Sequence, residues 1–257
     1  MTDLTFMRAA SHPDAAGPHA AVATCPRPLP EIILLPGLDG TGIAFRSLRE
    51  ALPEFQSRIV DYPREGSGYP RLLEQVRARL PIENPYLLVG ESYAGPLVVS
   101  IAAARPANLL GIVLCATFLS CPRPLLGSLR SLLRVLPARR LPARWLAPLL
   151  LGKYATPQHC ALIDETLAAA SPRAMLRRLH DVASVDVTAE ARRVEVPALY
   201  LRASGDRLVP RPAGERIRAT MAGVEVVEVP APHLLLQARA DLAALRIRGF
   251  AHRLAGR

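Results

Sequence analysis

Short apolar runs that alternate with helix-like segments are the feature that most constrains the fold of this chain. From Glu31 onward, the runs have the length of buried strands, and apolar residues recur every three or four positions between them. Strands that are apolar on both faces and alternate with helices indicate an α/β fold with a mostly parallel sheet flanked by helices. We predict strands over 31–35, 58–61, 86–90, 111–116, 198–201 and 224–229, and helices over 43–52, 72–80, 96–104, 214–221 and 241–254.

The alternation stops between residues 121 and 185, where the sequence contains no convincing strand. This stretch is rich in Leu, Arg and Pro and predicts several short helices. A length of 257 residues is enough for one large domain with an insertion. We therefore predict a core domain formed by 31–120 and 186–257, a helical insertion over 121–185, and an N-terminal arm or edge strands over 1–30.

The composition excludes several classes of protein. Half of the residues are hydrophobic, which is too many for a disordered chain. The longest uncharged stretch, 106–122, is too short and too polar to span a membrane. No long apolar run follows a basic start, so no secretory signal is predicted. The four cysteines form no metal-binding pattern, and we expect reduced thiols in a cytoplasmic protein with no metal site.

The net charge of +10 is unevenly distributed along the chain. Residues 121–182 carry 10 basic and 3 acidic residues, whereas residues 1–120 carry 10 and 11. The insertion is therefore strongly basic, which leaves an anionic partner or surface open as a hypothesis. Because the chain has no nucleic-acid-binding motif and only 5% aromatic residues, we do not expect nucleic acid as a partner.

The segment 90–95, GESYAG, follows an apolar strand and precedes a helix of small residues. A sharp turn from strand to helix holds a serine in a strained conformation with its hydroxyl exposed, as in a nucleophile elbow. The residues two before and two after that serine must be small, and Gly90 and Ala94 meet this need. An ordinary glycine-rich turn is the alternative, but the strand–turn–helix context favours Ser92 as a nucleophile.

A second glycine-rich segment, LPGLDGTG at 35–42, follows the first strong strand. Its glycines, including Gly37, allow the backbone to approach a substrate closely. The segment does not match the glycine patterns of nucleotide-binding sites, which disfavours a phosphate-binding loop. In an ester hydrolase, two backbone N–H groups must face the oxyanion of the tetrahedral intermediate. We expect these donors at Tyr93, directly after the nucleophile, and at Leu38 in this loop.

A nucleophilic serine needs a histidine as its base and an acid that orients the histidine. His233 follows the last predicted strand, whereas the other five histidines precede the serine or lie in the insertion or the last helix. Asp206 follows the strand 198–201, and its alternative role is that of a turn or helix-capping residue. Ser92, Asp206 and His233 thus follow strands in the order serine, acid, histidine, at the edge where open α/β sheets bind ligands.

The sequence resembles the serine hydrolases of the α/β-hydrolase fold in four segments, which are LPGLDGTG at 35–42, GESYAG at 90–95, GDRLVP at 205–210 and PHLLLQ at 232–237. The resemblance covers the chain from Glu31 onward and implies a Ser92 nucleophile, a His233 base, an Asp206 acid and oxyanion donors at Leu38 and Tyr93. Two departures are that Pro36 stands where many members have histidine and that Ala94 replaces a glycine.

In this fold, an insertion at 121–185 resembles a cap over the active site. Leucines between 125 and 136 recur at helical spacing and predict one apolar helix face. This face either packs the insertion onto the core or contributes to an acyl-chain pocket lined by Leu129, Leu133 and Trp145. The arginines beside it also fit a basic amphipathic helix at an anionic membrane surface.

These residues predict a hydrolase that cleaves carboxylic esters or thioesters with a largely apolar acyl group, through an acyl-enzyme and without a cofactor. The alternatives within the same chemistry are an enzyme for acyl groups on an acidic carrier protein, an acyltransferase, and perhydrolysis. The alternative from another class is a non-catalytic binding protein of the same fold. The complete set of Ser92, Asp206 and His233 argues against that alternative.

Overall fold

A computed structural model describes residues 29–123 and 143–256. In these residues, six parallel strands form one sheet in the order β2-β1-β3-β4-β5-β6. Every strand predicted from the sequence is present, which confirms an α/β fold with a parallel sheet. The strands are β1 (Glu31–Leu35), β2 (Ser57–Ile59), β3 (Tyr86–Glu91), β4 (Leu109–Cys115), β5 (Ala198–Ala203) and β6 (Glu225–Val229).

Helices follow the strands on both sides of the sheet. We number those of the described residues α1 (Arg46–Glu50), α2 (Tyr69–Arg77), α3 (Gly95–Ala102), α4 (Ala143–Leu150), α5 (Pro157–Ala169), α6 (Pro172–Val182), α7 (Thr188–Ala191), α8 (Arg211–Thr220), α9 (Leu235–Ala238) and α10 (Ala240–Ala255). Short 3₁₀ turns lie at Ile43–Phe45, Ser92–Ala94 and Gly152–Tyr154.

The sheet is buried on both faces, as its apolar strands require. All six residues of the central strand β3 are buried. In β1, Ile33 and Leu35 belong to the core cluster that includes side chains of α2, α3 and α8. Ile32 and Leu34 belong to the opposite cluster, which includes side chains of α1 and α10. Alternate residues of one strand therefore pack into two separate cores.

The predicted boundaries differ from the observed ones mainly near the edge of the sheet. The helix expected over 43–52 is a 3₁₀ turn followed by α1, and the strand expected over 58–61 is the shorter β2. β2 pairs with β1 alone, so its length depends on a single neighbour. Such shifts of one to three residues are common at element ends, which fray and are set by packing.

The chain leaves and re-enters the sheet domain at one place. An antiparallel bridge joins Ser120 to Asp186, and the backbone N–H of Cys121 donates to the carbonyl of Val185 at 3.2 Å. Between these points the described residues include α4, α5 and α6. The division into a core and a cap over 121–185 stays a prediction, and both the N-terminal arm up to residue 28 and the leucine face at 125–136 lie outside the described residues.

The composition predicted that no segment spans a membrane and that the cysteines are reduced thiols. None of the described helices has the length and apolar character that crossing a membrane requires. Cys115, Cys121 and Cys160 are free thiols, and Cys115 is buried. The fourth cysteine, Cys25, lies outside the described residues.

Candidate active site

The serine of the predicted elbow lies between β3 and α3. Its backbone has φ 52, in the left-handed region that residues other than glycine, asparagine and aspartate rarely adopt. Ser92 opens a 3₁₀ turn that leads directly into α3 at Gly95. The strained strand–turn–helix geometry expected from the segment GESYAG is therefore present.

Close packing explains why the positions around Ser92 carry small residues. A Cβ on Gly90 would lie 2.5 Å from Cγ2 of Val98 and 3.2 Å from Cβ of Ala94. Glycine at 90 therefore leaves room for the methyl group of Ala94 and for the side chain of Val98. A Cβ on Gly95 would lie 2.0 Å from the hydroxyl oxygen of Thr117. The need for glycine at 95 arises from a residue after β4, so the elbow segment alone did not indicate it.

Ser92, His233 and Asp206 are brought together by the ends of three strands. Nε2 of His233 lies 3.0 Å from Oγ of Ser92, and Nδ1 lies 2.8 Å from Oδ2 of Asp206. The side chains of His233 and Asp206 are about 5% exposed or less. The acid and histidine follow β5 and β6, as the sequence predicted.

Asp206 also shapes its own loop. Its Oδ1 accepts hydrogen bonds from the backbone N–H groups of Leu208 and Val209, each at 2.8 Å. Oδ2 remains available for the imidazole of His233. The turn-forming role considered as an alternative for Asp206 and its contact with His233 are thus served by different oxygen atoms of one carboxylate.

The glycine-rich loop after β1 runs beside Ser92. A Cβ on Gly37 would lie 4.0 Å from Cβ of Ser92 and 3.9 Å from the carbonyl of Glu91. The N–H of Gly40 donates to the carbonyl of Gly37 at 3.2 Å, which closes a tight turn around Leu38. The loop that carries the predicted donor Leu38 therefore approaches the residue that precedes Tyr93.

Glu91, next to Ser92, is a buried carboxylic acid. Its Oε2 accepts a hydrogen bond from Nε2 of Gln237 at 3.1 Å, and Oε1 has no hydrogen-bond partner among the described residues. Burial raises the pKa of Glu91 to about 7. Gln237 also donates to the carbonyl of Ala44 at 3.2 Å, so the pair connects the elbow to the 3₁₀ turn before α1.

The side chain of Tyr93 is held by residues that the sequence did not single out. The hydroxyl of Tyr69 donates to the carbonyl of Tyr93 at 2.7 Å, and the two rings stack with centroids 4.6 Å apart. The hydroxyl of Tyr93 donates to Oδ2 of Asp181 in α6 at 3.3 Å. Burial raises the pKa of Asp181 to about 6 and that of Tyr93 well above its usual value. These partners come from distant segments, and no local motif marks them.

Of the predicted pocket residues outside the glycine loop, the structure describes one. Trp145 lies in α4 and is 65% exposed, with the guanidinium of Arg144 5.9 Å from its ring centroid. Leu129 and Leu133 lie outside the described residues. The acyl-chain pocket therefore stays a prediction.

The chain is similar to several hydrolases. Residues 32–245 match the sequence model of the alpha/beta hydrolase family. Pyrrolizixenacetamide deacetylase of Xenorhabdus hominickii is 27% identical over 177 residues, which cover 65% of this chain and 65% of that protein. The match thus spans slightly less than two thirds of that relative's length.

Solved structures share the fold at lower identity. An enol-lactonase from Burkholderia xenovorans superposes with a TM-score of 0.75 at 21% identity, covering 86% of this chain and 91% of the other. A thermophilic esterase from Thermogutta terrifontis gives a TM-score of 0.74 at 19% identity, covering 88% and 90%. Because the family match extends over most of the chain and agrees with the sheet, the protein belongs to the alpha/beta hydrolase family.

Proposed function

We propose that this protein is a serine hydrolase that cleaves carboxylic esters or thioesters with a largely apolar acyl group. The observation that carries the proposal is the chain of contacts from Ser92 Oγ to His233 Nε2 and from His233 Nδ1 to Asp206 Oδ2, at 3.0 and 2.8 Å. Both distances are within hydrogen-bond reach, which the transfer of a proton from serine to histidine requires.

The reaction follows from these contacts. His233 Nε2 takes the proton of Ser92 as Oγ attacks the acyl carbonyl, and a tetrahedral oxyanion forms. The protonated imidazole then gives its proton to the leaving alkoxide or thiolate, which leaves an acyl-enzyme. Water attacks this ester with His233 again as the base, and the carboxylic acid is released. Asp206 orients the imidazole and stabilises its charged form.

The oxyanion would be bound by the backbone N–H groups of Leu38 and Tyr93. Tyr93 directly follows the nucleophile, and a Cβ on Gly37, in the loop of Leu38, would lie 4.0 Å from Cβ of Ser92. Donors of this kind contribute a factor of about 10² to 10³ to kcat in serine hydrolases. Because both donors are backbone groups, the departures at Pro36 and Ala94 remove no catalytic atom.

An acyl substrate is also supported by the names of similar proteins, which include a deacetylase, an enol-lactonase and an esterase. The apolar acyl group rests on the leucine-rich insertion, with Leu129, Leu133 and Trp145 as candidate pocket residues and Gly37 beside the reacting carbonyl. A series of p-nitrophenyl esters tests this preference. A flat profile, or a strict preference for acetate, would contradict an acyl-chain pocket.

A fluorophosphonate probe tests the nucleophile. We expect the wild type to be labelled at Ser92 and Ser92→Ala to remain unlabelled and inactive on p-nitrophenyl esters. Ser47→Ala is a matched control, because Ser47 lies in α1 and contacts neither His233 nor Asp206 through a hydrogen bond. Absence of labelling in folded wild-type protein would contradict the serine-hydrolase proposal and favour a non-catalytic binding protein.

The basic insertion favours one further candidate, an enzyme for acyl groups on an acidic carrier protein. Residues 121–182 carry ten basic and three acidic residues, which would attract such a carrier. Activity on carrier-bound acyl groups that falls steeply with salt, without activity on free esters, would support it.

Co-sedimentation with anionic vesicles tests the alternative of a membrane surface. Product analysis with alcohol or peroxide acceptors tests acyl transfer and perhydrolysis.

A further inference from the structure

Arg178 is a buried cation that lies in the insertion but binds the glycine-rich loop of the core. It belongs to α6 and is 2% exposed. Nη1 donates to the carbonyls of Leu38 at 2.9 Å and Asp39 at 2.7 Å, and Nη2 donates to the carbonyl of Pro63 at 3.0 Å. A planar guanidinium that binds three carbonyls constrains the orientation of each peptide group it contacts.

The loop is shaped around this guanidinium. Gly40 has φ 74, and a Cβ there would lie 2.4 Å from Nη1 of Arg178. The Leu38 carbonyl belongs to the peptide directly after the one that carries the Leu38 N–H. Arg178 thus holds two successive carbonyls next to the proposed oxyanion donor, while the Gly40 N–H holds the carbonyl of the peptide that carries that donor.

The same helix also reaches the second proposed donor. Asp181 lies one turn after Arg178 and accepts the hydrogen bond of the Tyr93 hydroxyl at 3.3 Å. The guanidinium of Arg178 lies 5.2 Å from the ring centroid of Tyr62, which contacts the ring of Tyr93 edge to face at 6.0 Å. One side of α6 therefore contacts both the loop of Leu38 and the side chain of Tyr93.

We propose that α6 sets the geometry of the oxyanion hole, with Arg178 as the positioning residue for Leu38 and Asp181 as the positioning residue for Tyr93. This inference rests on the proposed serine-hydrolase function. It gives the insertion, which the sequence predicts to be a cap, a role in the chemical step. Neither side chain needs to touch the substrate, because each acts through a backbone donor.

Arg178→Gln tests the proposal, with Arg178→Lys as the conservative variant. A displaced donor weakens binding of the transition state, so we expect kcat of Arg178→Gln to fall about 10- to 100-fold, with KM changed less than about threefold. Arg178→Lys keeps the charge but not the planar fork, and its kcat should lie between those of Arg178→Gln and the wild type. Arg173→Gln, an exposed position on the same helix, is the matched control and should stay within about twofold of wild type.

Binding of phenylboronic acid separates positioning from general stability. Its tetrahedral adduct with Ser92 places an oxygen in the oxyanion hole, so its affinity should fall by the same factor as kcat. Tyr93→Phe removes the hydroxyl that contacts Asp181 but keeps the backbone donor, and we expect a decrease in kcat of about three- to tenfold. Thermal melts identify the folded fraction of each variant.

The outcomes distinguish this inference from the proposed function. If the fluorophosphonate does not label the wild type, the result contradicts the serine-hydrolase proposal itself. A labelled wild type together with unchanged kcat and boronate affinity in folded Arg178→Gln contradicts only the positioning role. If Arg178→Gln does not fold, Arg178→Lys and Tyr93→Phe decide, and wild-type boronate affinity in both overturns the proposal.

Discussion

Ser92 has its backbone at φ 52 where β3 ends and the 3₁₀ turn into α3 begins. The carbonyl of Ser92 accepts a hydrogen bond from the Thr117 hydroxyl, and the carbonyl of Tyr93 accepts one from Tyr69. These contacts offset a conformation that costs about 1–3 kcal/mol. Arg105 and Ala116 also have positive φ, so it is the contact with His233 that distinguishes Ser92 as a candidate nucleophile.

Replacing Asp206 by Asn should separate its two roles. Oδ1 would still accept from Leu208 and Val209, whereas the amide would present N–H to Nδ1 of His233 and favour the wrong tautomer. We expect kcat to fall about 10⁴-fold with little change in melting temperature. Asp241→Asn, at an exposed ion pair with Arg239, is the control and should keep wild-type activity. Near-normal turnover in Asp206→Asn would argue against the acid assignment.

Gly40→Ala should damage both stability and activity. An alanine at this position would have to adopt φ 74, which is unfavourable for it. Its methyl group would lie 2.4 Å from the Arg178 guanidinium, which donates to three carbonyls. We expect a loss of about 1–3 kcal/mol in the free energy of unfolding, measured in urea, and a lower kcat. A stable variant with wild-type kcat would show that the loop is not constrained by Arg178.

At the scale of elements, the junction of β3 and α3 depends on how closely α3 approaches the end of β4. The contact occurs where Gly95 faces Thr117, whose hydroxyl donates to the carbonyl of Ser92. The apolar character of α3 secures the rest of the junction, because nearly all of its side chains are buried. Packing of the two elements, and not the turn alone, places the candidate nucleophile.

Gly95→Ala should push α3 away from β4, because its Cβ would lie 2.0 Å from the Thr117 hydroxyl oxygen. We expect a loss of about 1–3 kcal/mol in unfolding free energy together with reduced fluorophosphonate labelling. Gly249→Ala in α10 is the matched control. Its Cβ would meet only Nη1 of Arg253 at 3.7 Å, and we expect a gain of about 1 kcal/mol from helix propensity. Equal effects of the two substitutions would contradict the steric argument.

At the scale of the whole molecule, buried acids link stability to pH. Burial raises the pKa of Glu91 to about 7 and that of Asp181 to about 6, above the values of exposed carboxyl groups. The folded state therefore binds these protons more tightly than the unfolded state does. Proton binding therefore stabilises the folded state fully below the pKa values of the unfolded state. This stabilisation is lost as the pH rises through the pKa values of the folded state.

Glu91→Gln should remove most of the pH dependence of the unfolding free energy near neutral pH. The amide stays uncharged at every pH, so the stability of the variant relative to wild type should rise by about 2 kcal/mol between pH 5 and pH 8. Urea denaturation at several pH values measures the difference. Glu83→Gln, at an exposed position, is the control and should follow the wild-type curve. Parallel curves for Glu91→Gln and wild type would contradict a raised Glu91 pKa in the folded state.

Local sequence patterns were sufficient to predict the sheet and the three contacting side chains. Apolar runs of strand length predicted all six strands, because burial on both faces demands such runs. Ser92, Asp206 and His233 were identified because each follows a strand, and parallel strands end at the same edge. Helix ends and the length of β2 were less accurate, since packing and pairing set them.

By itself, therefore, the sequence determined the α/β class, the order of the strands along the chain and the candidates for nucleophile, base and acid. Only the tertiary structure revealed that Arg178 and Asp181 of α6 contact the two loops of the proposed oxyanion hole. These contacts join residues up to 140 positions apart. Periodicity and motifs report on neighbours along the chain, whereas such contacts depend on how the insertion folds back onto the sheet.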